Sequence, residues 1–189
     1  MNLPNKLTVL RIILVPLFIA FLLTDAIPCN YIFAMLVFIG ASLTDFFDGR
    51  YARKYNMITD FGKFADPLAD KILVISAYCC FVDMGIISCI PVIIILFREF
   101  AVTSVRLVAA SKGKVVAANI WGKAKTVSQI AVVILVILLL IVSQFNNNET
   151  VSSVFYIIDN AAVWISVLLT VFSGAVYLRD NSDIYITMK

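Results

Sequence analysis

The chain has 189 residues, 62% of them apolar and only 14% charged, with a formal net charge of +3. A soluble domain carries roughly 45–50% apolar and about 25% charged residues, and a chain of 21.0 kDa has too much surface to hide such an excess from water. The composition, with a mean hydropathy of +1.00, excludes a soluble enzyme, a nucleic-acid binder and a disordered chain, and makes a lipid membrane the expected solvent. The absence of histidine further excludes a Ser-His-Asp triad, histidine acid–base chemistry and any histidine-ligated metal.

A membrane helix needs about 20 predominantly apolar residues, and six stretches are predicted to supply one. The first is Leu7–Leu23, read as a span because it is longer than a leader's apolar core and no small-residue cleavage site follows it. The second is Tyr31–Phe47, with acids at its far end. The third is Pro67–Val82. The fourth, Ser88–Ala110, is interrupted by Arg98, Glu99 and Arg106. The fifth, Thr126–Val142, is the plainest, and the sixth is Val151–Tyr177. Four cysteines, Cys29, Cys79, Cys80 and Cys89, lie in or near these runs with no zinc spacing and are expected to act as packing residues. The Asn148-Glu149-Thr150 acceptor pattern is expected to be a chance occurrence.

Lysines and arginines fall on one side of this array. Connections Thr24–Asn30, Asp83–Ile87 and Ser143–Thr150 have none. The N-terminal end has Lys6 and Arg11. The second connection has Arg50, Arg53, Lys54 and Lys63, and the fourth has Lys112, Lys114, Lys123 and Lys125. Arg179 and Lys189 follow the last span. The positive-inside rule then places both termini in the cytoplasm, as an even number of spans requires. The expected fold is all-α: one polytopic membrane domain over residues 1–189, with six transmembrane helices.

Charges in or beside a membrane span are costly and call for a function. Four of the twelve acids cluster in sequence. Asp45 and Asp48 are spaced i,i+3 at the end of the second span, and Asp66 and Asp70 are spaced i,i+4 at the start of the third. Each spacing puts the pair on one helix face. An antiparallel hairpin would bring four carboxylates together at the cytoplasmic side, where their repulsion demands protonation or a cation. Hard oxygen ligands select Mg²⁺, Mn²⁺ or Ca²⁺. Mg²⁺ usually combines a few carboxylates with water and phosphate oxygens, and a pair of such ions suits phosphoryl transfer. The plainer alternative for Asp66, just before Pro67, is a helix N-cap. Gly49 and Gly62 flank the acids and would allow close approach of a ligand or a helix, or else simply mark turns.

Asp45-x2-Asp48-Gly49-x2-Ala52-Arg53-x8-Gly62-x3-Asp66-x3-Asp70 resembles the signature of the CDP-alcohol phosphotransferases at all eight fixed positions. Asn2-Leu-Pro-Asn-Lys-Leu-Thr-Val-Leu-Arg11, Asp66-Pro-Leu-Ala-Asp-Lys71, Arg98-Glu99-Phe100 with Arg106, and Gly122-Lys-Ala-Lys-Thr126 are similar to the family's phosphatidylglycerophosphate synthase branch. The resemblance implies a six-span, usually homodimeric enzyme of the plasma membrane, with its active site facing the cytoplasm. Such an enzyme transfers a phosphatidyl group from CDP-diacylglycerol to an alcohol and releases CMP. It implies that Asp45, Asp48 and Asp66 bind one divalent ion, Mg²⁺ or Mn²⁺, with Asp66 and Asp70 near a second. Asp70 is the candidate general base. Gly49, Ala52, Arg53 and Gly62 would line the cytidine site, and Asn5 and Thr8 would touch the diphosphate; capping and helix-start roles are the plainer alternative for those two.

Arg98 and Arg106 are eight residues, about 12 Å, apart along one helix and on roughly one face. Each would cost several kcal/mol in lipid, about 2.5–3.5, so both must face a polar interior. Lys123 and Lys125 open the fifth span. Together these four cations suit a phosphorylated acceptor, and sn-glycerol 3-phosphate is the expected one. Inositol phosphate would need the same clamp. The rival from another class is a cation transporter lined by the four carboxylates, although the acids occur once, near one face, with no repeat in the second half.

Overall fold

A computed structural model describes residues 3–24, 26–54, 60–111, 120–146 and 149–181; for 3–5, 45–54, 60–68, 70, 111 and 149 it describes the backbone alone. Among these residues there are six α-helices and no strand: α1 Leu3–Leu23, α2 Asn30–Lys54, α3 Asp60–Asp83, α4 Cys89–Ser111, α5 Ile120–Phe145 and α6 Glu149–Asp180. The all-α expectation holds, one helix for each predicted span.

The helices outrun the apolar runs that reveal them. Hydropathy marks only the lipid-compatible part of a helix, while backbone hydrogen bonding carries on through charged turns. So α2 continues past its predicted span, Tyr31–Phe47, to Lys54, and α3 begins at Asp60 rather than Pro67. Asp66 therefore lies inside α3, and its reading as an N-cap is corrected. Pro67 has no N–H to give the carbonyl four residues earlier. By length and composition, Lys6–Leu23, Ile120–Phe145 and Thr150–Asp180 are each long and apolar enough to cross a bilayer. Charged residues interrupt α4 at Arg98, Glu99 and Arg106.

The turns at one end are closed by local chemistry. Gly85 adopts φ 72°. Its N–H donates to the Val82 carbonyl at 3.0 Å, and that of Ile86 donates to Phe81 at 2.9 Å, the paired bonds that close a helix through a left-handed residue. Asn160 of α6 donates to the Ile86 carbonyl at 3.0 Å. Gln144, near the end of α5, donates to Asn30 at the start of α2 at 3.0 Å.

Packing follows the inward faces. Val15, Phe18 and Leu22 of α1 meet Ala34, Phe38 and Ala41 of α2 and Leu73, Ala77 and Phe81 of α3 in the buried core. Small residues at such positions let helices approach closely in a membrane, where packing drives association. On α5, Lys125, Gln129, Val132, Val133, Val136 and Ile137 are buried, a stripe with helical period that turns polar at its first turns. On α6 the buried Asp159, Ser166, Thr170 and Ser173 form a polar stripe. Thr170 accepts from Gln129 at 3.2 Å, and Tyr78 donates to Ser166 at 3.5 Å. Outward faces are apolar instead: Ile13, Leu36, Phe97, Leu107, Ile157 and Leu168 are all exposed. Among the cysteines, Cys80 is buried in the core, while Cys79 and Cys89 are exposed and all four are free thiols.

Candidate functional site

The inward face of α1 changes character along its length. Val15, Phe18 and Leu22 continue toward the N-terminus as Arg11 and Thr8, which are 1% and 0% exposed. Asn5 is the third residue of the helix, so its reading as a cap is corrected, and Thr8 lies in the second turn, past the helix start. Burying a guanidinium this completely requires polar surroundings. The register with α2 identifies where these two residues stand. Phe18 packs on Phe38 with ring centroids 5.5 Å apart, and Phe21 on Phe33 at 5.6 Å. Carried two to three turns further, this antiparallel register levels Arg11 and Thr8 with residues 43–48 of the α2 backbone, the stretch that contains Asp45 and Asp48.

Gly49, Ala52 and Arg53 follow in the last turns of α2; Gly62, Asp66 and Asp70 lie in the first half of α3. Only five residues separate Lys54 from Asp60, so both acid-bearing stretches belong to the same end of one helical hairpin. The side chains of these eight residues, and of Asn5, lie outside the described residues. Among the described residues no three acidic or thiol groups gather around a point where a metal could sit. The hairpin's donor set is oxygen-only, two carboxylates per helix at one-turn spacing, and it fits a hard divalent ion.

The cations are described in more detail. Glu99 of α4 is 7% exposed and is the hub of three of them. Lys125 of α5 is hydrogen-bonded to its Oε1. Arg98 Nη1 reaches the same oxygen at 3.0 Å, and Lys71 Nζ of α3 stands 3.8 Å from Oε2. Lys71 also donates to Thr103, and Arg98 Nη2 donates to Ser173 of α6 at 2.9 Å. Among the described residues Glu99 is the carboxylate on which these three cations converge. Four helices thus meet at one ionic cluster.

Of the four cations expected to act together, the structure brings Arg98 and Lys125 into this cluster. Arg106 stands further along α4, exposed, with its guanidinium carbon 5.9 Å from the centre of the Tyr177 ring. Lys123 is exposed as well. Neither is joined to Glu99 by an ion pair among the described residues. Two participants were not assigned from sequence. Lys71 had a signal, since it directly follows Asp70 within an otherwise apolar stretch. Ser173 had little, because a serine in an apolar helix resembles any small packing residue.

Lys71 is also what ties the two halves of the site together. It is the next residue after Asp70 on α3, so the cluster begins one residue away from the carboxylate hairpin. An anion drawn to these cations would therefore lie beside the end of α2 and α3 whose sequence carries the four aspartates.

The comparisons with known proteins agree with this arrangement. The family model described as CDP-alcohol phosphatidyltransferase matches residues 1–172, from the first turn of α1 well into α6. A CDP-diacylglycerol–glycerol-3-phosphate 3-phosphatidyltransferase of Bacillus subtilis is 42% identical over 95% of both chains. The protein of that name from Rickettsia bellii is 34% identical over 94% of both chains. A probable phosphatidylglycerophosphate synthase of Mycobacterium tuberculosis is 39% identical over 70% of this chain and 64% of its own. With full-length relatives, a family match spanning nearly all six helices and an acid-bearing hairpin beside a buried cation cluster, the chain belongs to the CDP-alcohol phosphatidyltransferase family.

Proposed function

We propose that the protein transfers the phosphatidyl group of CDP-diacylglycerol to sn-glycerol 3-phosphate, giving phosphatidylglycerophosphate and CMP. The observation that carries the choice of acceptor is the Glu99 cluster, where Arg98, Lys125 and Lys71 converge as charged donors suited to a phosphate dianion. A neutral acceptor such as free inositol or serine would not call for such a gathering of cationic donors. The names of the similar proteins point to the same acceptor. Inositol phosphate would suit the charge equally and is separated by assay. A cation pathway, the rival from another class, finds no support in a chain of this family.

In this reading Arg98 and Lys125, with Lys71 at the edge, bind the acceptor phosphate and turn the glycerol hydroxyl toward Asp70. Asp70 takes the proton of that hydroxyl as its oxygen attacks the lipid-side β-phosphorus. The new bond joins the glycerol oxygen to phosphorus. The bond that breaks joins phosphorus to the bridging diphosphate oxygen, and CMP leaves with that electron pair. A divalent ion, Mg²⁺ or Mn²⁺, held by Asp45, Asp48, Asp66 and Asp70, would supply charge stabilisation for the diphosphate when bound. Asn5 and Thr8 contact the diphosphate, and Gly49, Ala52, Arg53 and Gly62 surround the cytidine. The reading includes six spans in one domain, both termini in the cytoplasm, a homodimer, and a plasma-membrane site open to the cytoplasm.

Purified protein given CDP-diacylglycerol, Mg²⁺ and a panel of acceptors should release CMP with glycerol 3-phosphate and not with inositol or serine. CMP release with a free alcohol but not with glycerol 3-phosphate would refute the acceptor. No CMP release with any acceptor would refute the reaction.

A further inference from the structure

Arg98 is held from three directions. Glu99 takes Nη1 at 3.0 Å, and Ser173 of α6 takes Nη2 at 2.9 Å. The stem is pressed against α6 at Gly174: a Cβ on that glycine would stand 2.8 Å from Arg98 Cγ and 3.3 Å from Nε. The close contact falls on Cγ, near the root of the side chain, so a methyl group there would displace everything beyond it. Nε, meanwhile, is buried with no hydrogen-bond partner among the described residues. With one N–H of each terminal nitrogen spent and the stem seated, the guanidinium plane is held in one orientation.

Glycine is a poor residue for a helix interior, and at the other described helical glycines its presence is not explained by crowding. Added Cβ atoms at Gly40 and Gly122 would meet nothing within 4 Å. Gly174 differs because Arg98 occupies the space a side chain would need.

We propose that the Ser173–Gly174 step of α6 is a positioning notch for Arg98 and so sets the affinity for the phosphorylated acceptor. This rests on the acceptor reading above. Neither residue touches the acceptor. Gly174 gives the arginine stem its seat, and Ser173 fixes the rotation of the guanidinium plane about that seat. The notch thereby sets where the guanidinium N–H groups that are not spent on Glu99 and Ser173 point when they meet a phosphate oxygen.

The test compares wild type, Gly174→Ala, Ser173→Ala and Gly40→Ala in detergent, following CMP release while each substrate is varied separately. Wild-type turnover of glycerol 3-phosphate comes first; its absence refutes the acceptor reading and not the geometry of the notch. Given that turnover, Gly174→Ala should raise the KM for glycerol 3-phosphate about tenfold, because one charge-assisted contact is misplaced, and leave that for CDP-diacylglycerol nearly unchanged. Ser173→Ala should move the same constant in the same direction by a smaller factor. Gly40→Ala should match wild type. A proportional change in both KM values, or no change in either, would overturn the positioning role. If Gly174→Ala does not fold, Ser173→Ala decides alone, and an unaltered KM for glycerol 3-phosphate overturns it.

Discussion

Glu99 shows how one side chain organises a site without being the obvious actor. It offsets charge on Arg98, Lys125 and Lys71, which come from three helices. Removing one member of a buried ionic group leaves the others uncompensated, typically at a cost of about 3–5 kcal/mol. Glu99→Ala should therefore lower thermal stability in detergent substantially, and Lys123→Ala, at an exposed position, should not. A melting curve for each variant checks this. Arg98→Ala should raise the KM for glycerol 3-phosphate far more than Arg106→Ala, since only Arg98 joins the cluster; equal effects would mean that Arg106 turns inward when substrate binds. Arg98 and Lys125 were legible in the sequence because a charge in an apolar run is costly and stands out. Ser173 and Gly174 were not, because neither is charged. Their role depends on which helix face meets Arg98, and only packing between distant segments decides that.

At the scale of helices, the eight-position signature was readable because all of it lies on one hairpin, within 26 residues of chain. The helix ends were less readable. The charged turns of α2 and α3 look like loop to a hydropathy count, yet they are helical from Gly49 through Lys54 and from Asp60 onward. Because Asp45 and Asp48 share one helix and Asp66 and Asp70 another, the spacing within each pair is rigid. Alanine at any of the four should reduce CMP formation by about 100-fold or more, and excess chelator should abolish activity that Mg²⁺ or Mn²⁺ then restores. Full activity in chelator would assign these acids another task. The turn at the opposite end of α3 makes an independent prediction about stability. Gly85 sits at φ 72°, where a side chain costs about 1–2 kcal/mol. Gly85→Ala should lower the melting temperature while leaving both KM values intact.

Across the whole molecule, the tie between Asn30 and Gln144 and that between Asn160 and Ile86 join the parts of the bundle whose connections carry no lysine or arginine. That grouping agrees with the orientation proposed from charge. Single-cysteine variants at Asn147 and Ser182, in a background without the four native thiols, should label from opposite sides of the membrane. Labelling from the same side would refute six spans. The one-sidedness of the charges was visible in sequence, because it needs only counting. The meeting of α3, α4, α5 and α6 at Glu99 was not, because four helices that are apolar outside give no sign of which inner faces touch.

The predicted apolar run of α2 stops at Phe47 and the helix at Lys54, leaving seven residues, about 10 Å of rise, with Asp45 in the last turn of that run and Asp48 just beyond it. On the proposed orientation those turns stand in and beyond the headgroup layer rather than in the hydrocarbon. The diacyl substrate would then react without leaving its leaflet, while glycerol 3-phosphate arrives by three-dimensional diffusion. The protein would respond to two concentrations in different units: moles per volume for the acceptor and mole fraction in the surface for the donor. Adding inert detergent at fixed total CDP-diacylglycerol should slow the reaction in proportion to the donor's dilution within the micelle, and adding buffer that holds the glycerol 3-phosphate concentration constant should leave turnover per enzyme unchanged.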